Sequence, residues 1–215
     1  MDKTSAFDGM MWLRGALSEQ HLAALDTLGT MQAKPGLRIG LSTLVLDALR
    51  PVDQRIQKVL PKMEPVRLVA FDKTSQSNWA LPWHQDRVIE VKENHDVDGY
   101  DNWDQKDGIW HCEPPVSLLK QMLFVRVHLD DTDGDGGAME VAIGSHQEGK
   151  IDAGQAKPYA ERYQTHVCQA RRGDVLVMDM LTLHRSLPAR KPSSRRVLRV
   201  DYAAIDLPYP LAWAK

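Results

Sequence analysis

The segment Met122-Leu123-Phe124-Val125-Arg126-Val127-His128-Leu129 decides the fold of this chain. Successive side chains of a β-strand point to opposite faces of its sheet, so a period of two predicts a strand with two distinct faces. One face would carry Leu123, Val125, Val127 and Leu129, and the other Phe124, Arg126 and His128. The segment therefore predicts a strand of a packed sheet, with an apolar face on one side and a mixed face on the other.

Shorter segments with the same character lie on both sides of this strand, at residues 66–71, 138–142, 174–179 and 197–203. Turn residues separate them, and the stretch before residue 60 has a helical period instead. Short strands after leading helices are typical of a β-sandwich or a jelly roll that packs helices on its outside. The chain is therefore predicted to be mainly β, with N-terminal helices.

The first 60 residues are predicted to form a helical arm on a β core that spans residues 65–205, within a single domain of 215 residues. Ser18 is a candidate cap for a helix that runs to about Met31. Pro51 is suited to the first turn of a second helix, which would carry Val52, Ile56, Val59 and Leu60.

Residues 88–118 follow neither period and contain Trp103, Trp110 and His111. A loop of this length inside a compact domain is uncommon and often covers a binding site. Two interpretations remain open: a lid over the site, or a surface excursion with a small hydrophobic cluster of its own.

Composition excludes several classes of protein. A net charge of −2 argues against broad electrostatic binding to nucleic acid or to an anionic membrane surface. Cys112 and Cys168 are far apart, which excludes a disulfide framework and a zinc ribbon. The chain has neither an apolar run of 18 residues nor a signal-like N-terminus, so we expect a cytoplasmic protein that does not span a membrane.

The sharpest chemical feature is Trp83-His84-Gln85-Asp86. In an extended segment His84 and Asp86 point to the same side and can offer a nitrogen and a carboxylate to one metal ion. A second histidine would complete a facial triad of two histidines and one carboxylate, which leaves positions open on Fe(II). The motif is short enough to occur by chance, so the prediction of a metal site depends on finding the third ligand.

His184 is the strongest candidate for the third ligand, because it follows the strand at 174–179 and an apolar segment that would direct it inward. A histidine in such surroundings is also commonly a hydrogen-bonded core residue. His146, which follows a strand and a turn, is the first replacement to consider. The remaining histidines are weaker candidates on helices, loops or strands: His21, His95, His111, His128 and His166.

Arg195 lies eleven residues after His184 and begins the last strand, while Ser186 lies two residues after His184. A buried arginine with a nearby hydroxyl can clamp a carboxylate, because the planar guanidinium makes two parallel charge-assisted hydrogen bonds. The alternative is a basic surface hairpin, since arginines and a lysine are dense between residues 185 and 199.

Taken in order, these features resemble the phytanoyl-CoA dioxygenase family. The resemblance covers residues 65–205 and runs through Trp83-His84-Gln85-Asp86, Leu129-Asp130-Asp131, Gly136-Gly137-Ala138-Met139-Glu140-Val141, Gly144-Ser145-His146, Gly173-Asp174-Val175, His184 and Arg195. It implies a double-stranded β-helix and an oxygenase that uses Fe(II) and 2-oxoglutarate.

The resemblance also implies roles for single residues. The iron ligands would be His84, Asp86 and His184, the 2-oxoglutarate clamp would be Arg195 with Ser186, and Arg126 would be a further contact to the cosubstrate. Because Asp86 keeps the carboxylate that halogenating relatives lack, hydroxylation of a small molecule with O₂ is the expected reaction, with release of succinate and CO₂. Desaturation, ring closure and epimerisation use the same triad and remain open.

Two other functions compete with this interpretation: a cupin-type metal enzyme that does not use 2-oxoglutarate, and a metal-binding jelly roll without turnover. The substrate candidates flank the metal motif or lie in the long loop, and they are Lys73, Asn78, Arg87, Trp103, Trp110 and His111. Residues 131–136 match the start of a calcium-binding EF-hand loop, but Ala142 stands where the bidentate Glu is required. We therefore interpret that segment as an acidic hairpin turn. The sequence does not indicate the oligomeric state.

Overall fold

Antiparallel strands account for most of the regular secondary structure in a computed structural model that describes residues 7, 9–29, 36–74, 77–190 and 195–215. The strands in chain order are β1 (Met10–Leu13), β2 (Leu37–Ile39), β3 (Glu64–Lys73), β4 (Leu81–His84), β5 (Ile89–Val91), β6 (Asp101–Lys106), β7 (Ile109–Glu113), β8 (Met122–His128), β9 (Met139–Ala142), β10 (Thr165–Val167), β11 (Val175–Asp179), β12 (His184–Ser186) and β13 (Arg195–Ala203). The α-helices are α1 (Glu19–Gly29), α2 (Thr43–Val59), α3 (Val116–Leu119) and α4 (Ala156–Ala160).

Two of the sheets form a jelly roll, which confirms the predicted fold class. The major sheet has the strand order β1-β11-β8-β13-β3-β2, and the minor sheet has the order β10-β9-β12-β4. Neighbouring strands in both sheets are antiparallel. A hydrophobic cluster that includes Phe124 and Met178 of the major sheet and Val141 of the minor sheet lies between them.

The two faces of β8 separate as the alternation predicts. Leu123, Val125 and Val127 pack in a cluster with residues of α1 and α2, while Phe124 belongs to the cluster between the sheets. Strand β13 alternates in the same way, because Leu198 and Val200 pack on the helix side and Arg199 faces the minor sheet. The inner face of the major sheet therefore carries Arg126 of β8 together with Arg195 and Arg199 of β13.

The first 60 residues contribute more than the predicted helical arm. Strands β1 and β2 are the two edge strands of the major sheet, since β1 pairs with β11 and β2 pairs with β3. Both strands are only three or four residues long, which leaves too few positions for a period of two to be recognised in the sequence. Helix α1 confirms the first predicted helix, and the expected end at Met31 lies outside the described residues.

The prediction that Pro51 begins the second helix is wrong. Helix α2 begins at Thr43, where the Ser42 hydroxyl accepts a hydrogen bond from the backbone N–H of Val45, and Pro51 lies inside the helix. Proline cannot donate to the carbonyl four residues earlier. Burial of one continuous helix face compensates for that loss, because Leu49 before the proline and Val52 and Ile56 after it are all fully buried.

Residues 88–118 are not a long loop, which corrects that prediction. They form a small third sheet, with strand order β5-β7-β6, followed by α3. Strand β6 has mostly exposed, polar side chains, so its sequence has no apolar alternation to mark it as a strand. Trp103 and Trp110 pack against the hydrophobic cluster between the sheets. The alternative prediction of a surface segment with its own small cluster therefore described the packing only in part.

Residues 131–136 form a turn between β8 and β9, as interpreted from the sequence. The Asp133 carboxylate accepts a hydrogen bond of 2.6 Å from the Gly136 N–H, and the Asp131 carboxylate accepts one of 2.7 Å from the Arg172 N–H. These carboxylates therefore stabilise the turn itself. Among the described residues, no helix is long and apolar enough to cross a membrane.

Helix α2 offers a matched test of this packing. Leu49→Ala should lower the free energy of unfolding by about 2–5 kcal/mol, because Leu49 is fully buried against the sheet and its truncation leaves a cavity. Leu44→Ala makes the same chemical change on the same helix at a side chain that is 62% exposed, and should change stability by less than about 0.5 kcal/mol. Urea unfolding of both variants measures the difference, and equal losses would contradict the assigned helix face.

Candidate active site

Strand pairing brings the predicted metal ligands together. Strands β4 and β12 are antiparallel neighbours, and His84 lies directly opposite His184 in their register. The two imidazole rings are 4.3 Å apart between centroids. Asp86 follows β4, and potential ligand atoms of the three residues all lie within 4.8 Å of one another. The three side chains therefore converge on one point, although they come from segments far apart in the chain.

Hydrogen bonds fix the orientation of both imidazoles. The Nδ1 atom of His84 lies 2.7 Å from the carbonyl oxygen of Pro82, and Nδ1 of His184 lies 2.9 Å from that of Thr182. A carbonyl can only accept, so each Nδ1 carries a proton, and Nε2 is the nitrogen of each ring that is left to bind a metal. Burial lowers the pKa of His84, which favours the neutral form that binds metal.

Asp86 is held as a carboxylate. Its Oδ2 lies 3.2 Å from Nε2 of His184, and its Oδ1 lies 2.8 Å from Nη1 of Arg199. Burial alone would raise the pKa of Asp86, but the charge of Arg199 and the neighbouring His184 together hold that pKa well below its usual range. Two imidazoles and one carboxylate are the donor set of a facial triad, so these residues fit Fe(II).

The triad opens into a cavity of about 90 Å³ between the two sheets. Its wall combines aromatic and apolar side chains with three arginines from the inner face of the major sheet. The residues that line it besides the triad are Phe71, Trp79, Leu81, Phe124, Arg126, Met139, Ser186, Arg195 and Arg199. The cavity thus brings together with the triad the three residues that were expected to bind the cosubstrate, Ser186, Arg195 and Arg126.

One part of this site carries positive charge that the protein does not neutralise. Arg195 and Arg126 are buried, and neither pairs with a carboxylate among the described residues. Arg195 donates to the carbonyl of Gly137, and the Nε atoms of both arginines are buried without a hydrogen-bond partner. Burial lowers the pKa of Arg195 to about 9 and that of Arg126 to about 10. Buried, unpaired donors of this kind favour an anionic ligand.

Lys73 adds a third cation to this region. It is fully buried at the end of β3, and its ammonium group donates to Ser186 Oγ at 3.3 Å and to the carbonyl of Leu187 at 2.7 Å. Burial, with the charges of Arg195 and Arg126, lowers the pKa of Lys73 to about 8. The sequence offered Lys73 as a substrate contact, whereas the structure places it beside Ser186 at the arginine-rich part of the site.

The other five substrate candidates do not line this cavity. Asn78 joins two loops through its amide, which bonds the backbone of Ala189. Arg87 contacts the carbonyl of Ile151 and the carboxylate of Glu113.

The last three candidates lie in or near the small sheet. The indole of Trp103 donates to the carbonyl of Tyr100, and Trp110 packs in the cluster between the sheets. His111 is buried beside Glu90 and Arg38.

Arg199 is the main site residue that the sequence reasoning missed. Arg195 and Arg199 are four residues apart on one strand, so a period of two puts them on the same face, and this is the signal that the sequence contains. The partner of Arg199, Asp86, belongs to a distant segment, so no local pattern connects them. His146, the alternative third ligand, lies 3.7 Å from Asp179 and is not part of the triad.

Comparison with known proteins identifies one family and several solved structures that share the fold of this chain. The family model described as phytanoyl-CoA dioxygenase matches residues 8–197. A search of curated proteins gave no match.

Solved structures with the same fold include AviO1 from Streptomyces viridochromogenes Tue57, with 18% identity, a TM-score of 0.63, and coverage of 94% of this chain and 92% of that chain. HygX from Streptomyces hygroscopicus, with nickel and 2-oxoglutarate bound, has 14% identity, a TM-score of 0.62, and coverage of 91% and 82%. The non-heme α-ketoglutarate-dependent carbocyclase SnoK from nogalamycin biosynthesis has 15% identity, a TM-score of 0.64, and coverage of 93% and 81%.

The triad leads to a direct metal-binding prediction. His184→Ala should weaken Co(II) or Ni(II) binding by about a hundredfold or more, because it removes a ligand rather than a residue that supports one. His146→Ala is the matched control, since His146 lies outside the triad, and should leave the affinity unchanged. Calorimetric titration of the metal-free protein measures both. Equal losses in the two variants would exclude the assignment of the third ligand.

The packing of Trp103 leads to a second prediction. Trp103→Ala should lower the free energy of unfolding by about 2 kcal/mol, because the indole is partly buried in the cluster between the sheets. It should leave metal affinity unchanged, since the side chain does not line the cavity. Thermal melting and metal titration separate the two effects. A change in metal affinity at unchanged stability would instead support a lid.

Proposed function

This chain belongs to the phytanoyl-CoA dioxygenase family, and from that premise we propose that it is an Fe(II)- and 2-oxoglutarate-dependent oxygenase of a small molecule. His84, Asp86 and His184 would hold the metal, since their donor atoms converge and both imidazoles present Nε2. When bound, the metal supplies the redox chemistry that couples decarboxylation of 2-oxoglutarate by O₂ to oxidation of the substrate.

The observation that carries the proposal is the pair of buried, unpaired arginines in the cavity that contains the triad. Arg195 has a buried Nε without a partner, and so has Arg126. Ser186 lines the same cavity, and Lys73 bonds Ser186. A small dianion that reaches the metal with one end and this basic region with the other would neutralise the charge. 2-Oxoglutarate has two carboxylates separated by a short carbon chain and meets that requirement.

Each protein group then has a defined task. The Arg195 guanidinium would bind the distal carboxylate of 2-oxoglutarate through two parallel hydrogen bonds, with Ser186 and Lys73 beside it. Arg126 would add a further charge-assisted contact to the same molecule. Phe71, Phe124 and Met139 line the cavity and would exclude water from the reacting groups.

The same observation separates this function from its competitors. Two buried arginines that lack anionic partners among the described residues are unfavourable in the protein alone. Neither a cupin-type metal enzyme without 2-oxoglutarate nor a metal-binding jelly roll without turnover would supply an anion to stabilise them.

We propose hydroxylation as the reaction, because Asp86 fills the carboxylate position of the triad. The named neighbours include a carbocyclase, so ring closure is the second candidate. The substrate would be a small molecule, as in the HygX structure that contains hygromycin B.

The clamp gives the test of this proposal. Arg195→Ala should weaken 2-oxoglutarate binding by about 2 kcal/mol or more, because it removes one side of a buried charge pair. Arg195→Lys should also weaken it, since an ammonium group cannot reproduce the planar fork. Arg196→Ala is the matched control: Arg196 pairs with Asp130 and Asp26, away from the cavity, and its loss should leave the affinity unchanged.

Two measurements decide the outcome. Titration gives the 2-oxoglutarate affinity of the metal-loaded wild type and the three variants. A second assay follows Fe(II)-dependent conversion of 2-oxoglutarate to succinate without substrate. Metal binding without any 2-oxoglutarate affinity or succinate formation would favour the cupin-type or non-catalytic alternative.

A further inference from the structure

Arg199 differs from the other two arginines of the cavity because carboxylates already neutralise it. Its Nη1 lies 2.8 Å from Oδ1 of Asp86. Its other donors form a bidentate pair with Asp201, with Nε 2.7 Å from Oδ1 and Nη2 2.9 Å from Oδ2. The side chain is buried, and the guanidinium also lies over the ring of Phe124 at 4.8 Å. Arg199 is therefore a fixed part of the protein and not a free anion site like Arg195.

The contact divides the two oxygens of Asp86 between different partners. Oδ1 accepts from Arg199, whereas Oδ2 lies 3.2 Å from Nε2 of His184 and so faces the converging ligand atoms. A carboxylate can bind a metal with one oxygen or with two. The guanidinium holds Oδ1 toward Arg199, so Oδ2 is the oxygen that faces the other two ligands.

We propose that Arg199 is a positioning residue that restricts Asp86 to one-oxygen binding and thereby keeps a coordination position open for the cosubstrate. This inference rests on the proposed function. A metal held by the three protein ligands would keep open positions, which 2-oxoglutarate and O₂ would share. If both oxygens of Asp86 bound the metal, one of those positions would be lost.

Asp201 explains why Arg199 stays in place. Asp201 is fully buried two residues further along β13, so the bidentate pair holds the guanidinium in one orientation. Arg67 approaches Asp201 at 3.4 Å and pairs with Glu90 at 2.7 Å. Glu90 in turn contacts Arg38 at 3.0 Å and His111 at 3.2 Å. Alternating charges thus run from Asp86 through the major sheet to the small sheet.

The primary variant is Arg199→Met, which keeps an unbranched side chain of moderate length and removes the donors. Freed from Arg199, Oδ1 of Asp86 should join Oδ2 on the metal. Binding of Co(II) should therefore be as tight as in the wild type or tighter, because a neighbouring cation is lost and an oxygen ligand is gained. The visible absorption of the Co(II)-loaded protein should change, since it reports coordination number and geometry.

The cosubstrate gives the second readout. Affinity of the Co(II)-loaded variant for 2-oxoglutarate should fall by about tenfold or more, because the second Asp86 oxygen competes for its position. Arg196→Met is the control, since it removes an arginine from the opposite face of the same strand. It should keep the wild-type spectrum and the wild-type affinity.

Three results would overturn the inference. The first is a folded Arg199→Met protein with the wild-type Co(II) spectrum and the wild-type 2-oxoglutarate affinity. The second is a folded variant that has lost Co(II) binding, because removal of the cation should not weaken the site. The third is a changed spectrum with unchanged 2-oxoglutarate affinity, since the open position would then not depend on Arg199.

Loss of Arg199 alone leaves Asp201 without its closest partner and could prevent folding. The double variant Arg199→Met/Asp201→Asn removes both charges of the buried pair, and the same three results apply to it. Failure of the proposed function is distinguishable, because the wild-type protein itself would then bind Co(II) without any 2-oxoglutarate-dependent change in absorption.

Discussion

The cost of burying positive charge is the constraint that organises this protein. Four cationic side chains lie buried on the inner face of the major sheet, namely Lys73, Arg126, Arg195 and Arg199. An unpaired charge in such a position is strongly unfavourable. Two carboxylates of the chain neutralise Arg199. The other three cations pair with no carboxylate among the described residues, and a ligand that supplies a negative charge would stabilise them. Without such a ligand the folded state retains a cost that hydrophobic burial elsewhere has to offset.

Sheet geometry explains how these charges come to face the metal ligands. Strands β8 and β13 are neighbours, and Arg199 lies opposite Arg126 in their register. Both sheets present their inner faces to the same cavity, so the minor sheet contributes His84 and His184 while the major sheet contributes the arginines. Alternation gives the helix side of the same strands a mainly apolar surface, with Leu123, Val125 and Val127 on β8 and Leu198 and Val200 on β13. One strand can therefore take part in the hydrophobic core and in the site at once.

The sequence predicted the parts of the site that depend on alternation or on short spacing. The two faces of β8 and the positions of His84 and Asp86 on one side follow from a period of two. For Arg195 the residues alone left a surface hairpin open, and its place as a buried clamp was implied by the family resemblance. The small sheet could not be predicted, because β6 exposes nearly all its side chains and has no apolar period. The pairing of Arg199 with Asp86 depends on tertiary contact between distant segments, which no local pattern contains.

The position of β13 in the major sheet has a consequence for synthesis. This strand lies at the centre of the sheet, between β8 and β3, yet it follows strands β1 to β12 in the sequence. The edge strands β1 and β2 are synthesised before it, and β13 emerges from the ribosome only after all the other strands of this sheet. Until then β3 and β8 expose unpaired edges, which are prone to aggregate and are natural ligands for chaperones. The residues that complete the basic region therefore arrive together with the strand that closes the sheet, so folding and assembly of the site end in the same event.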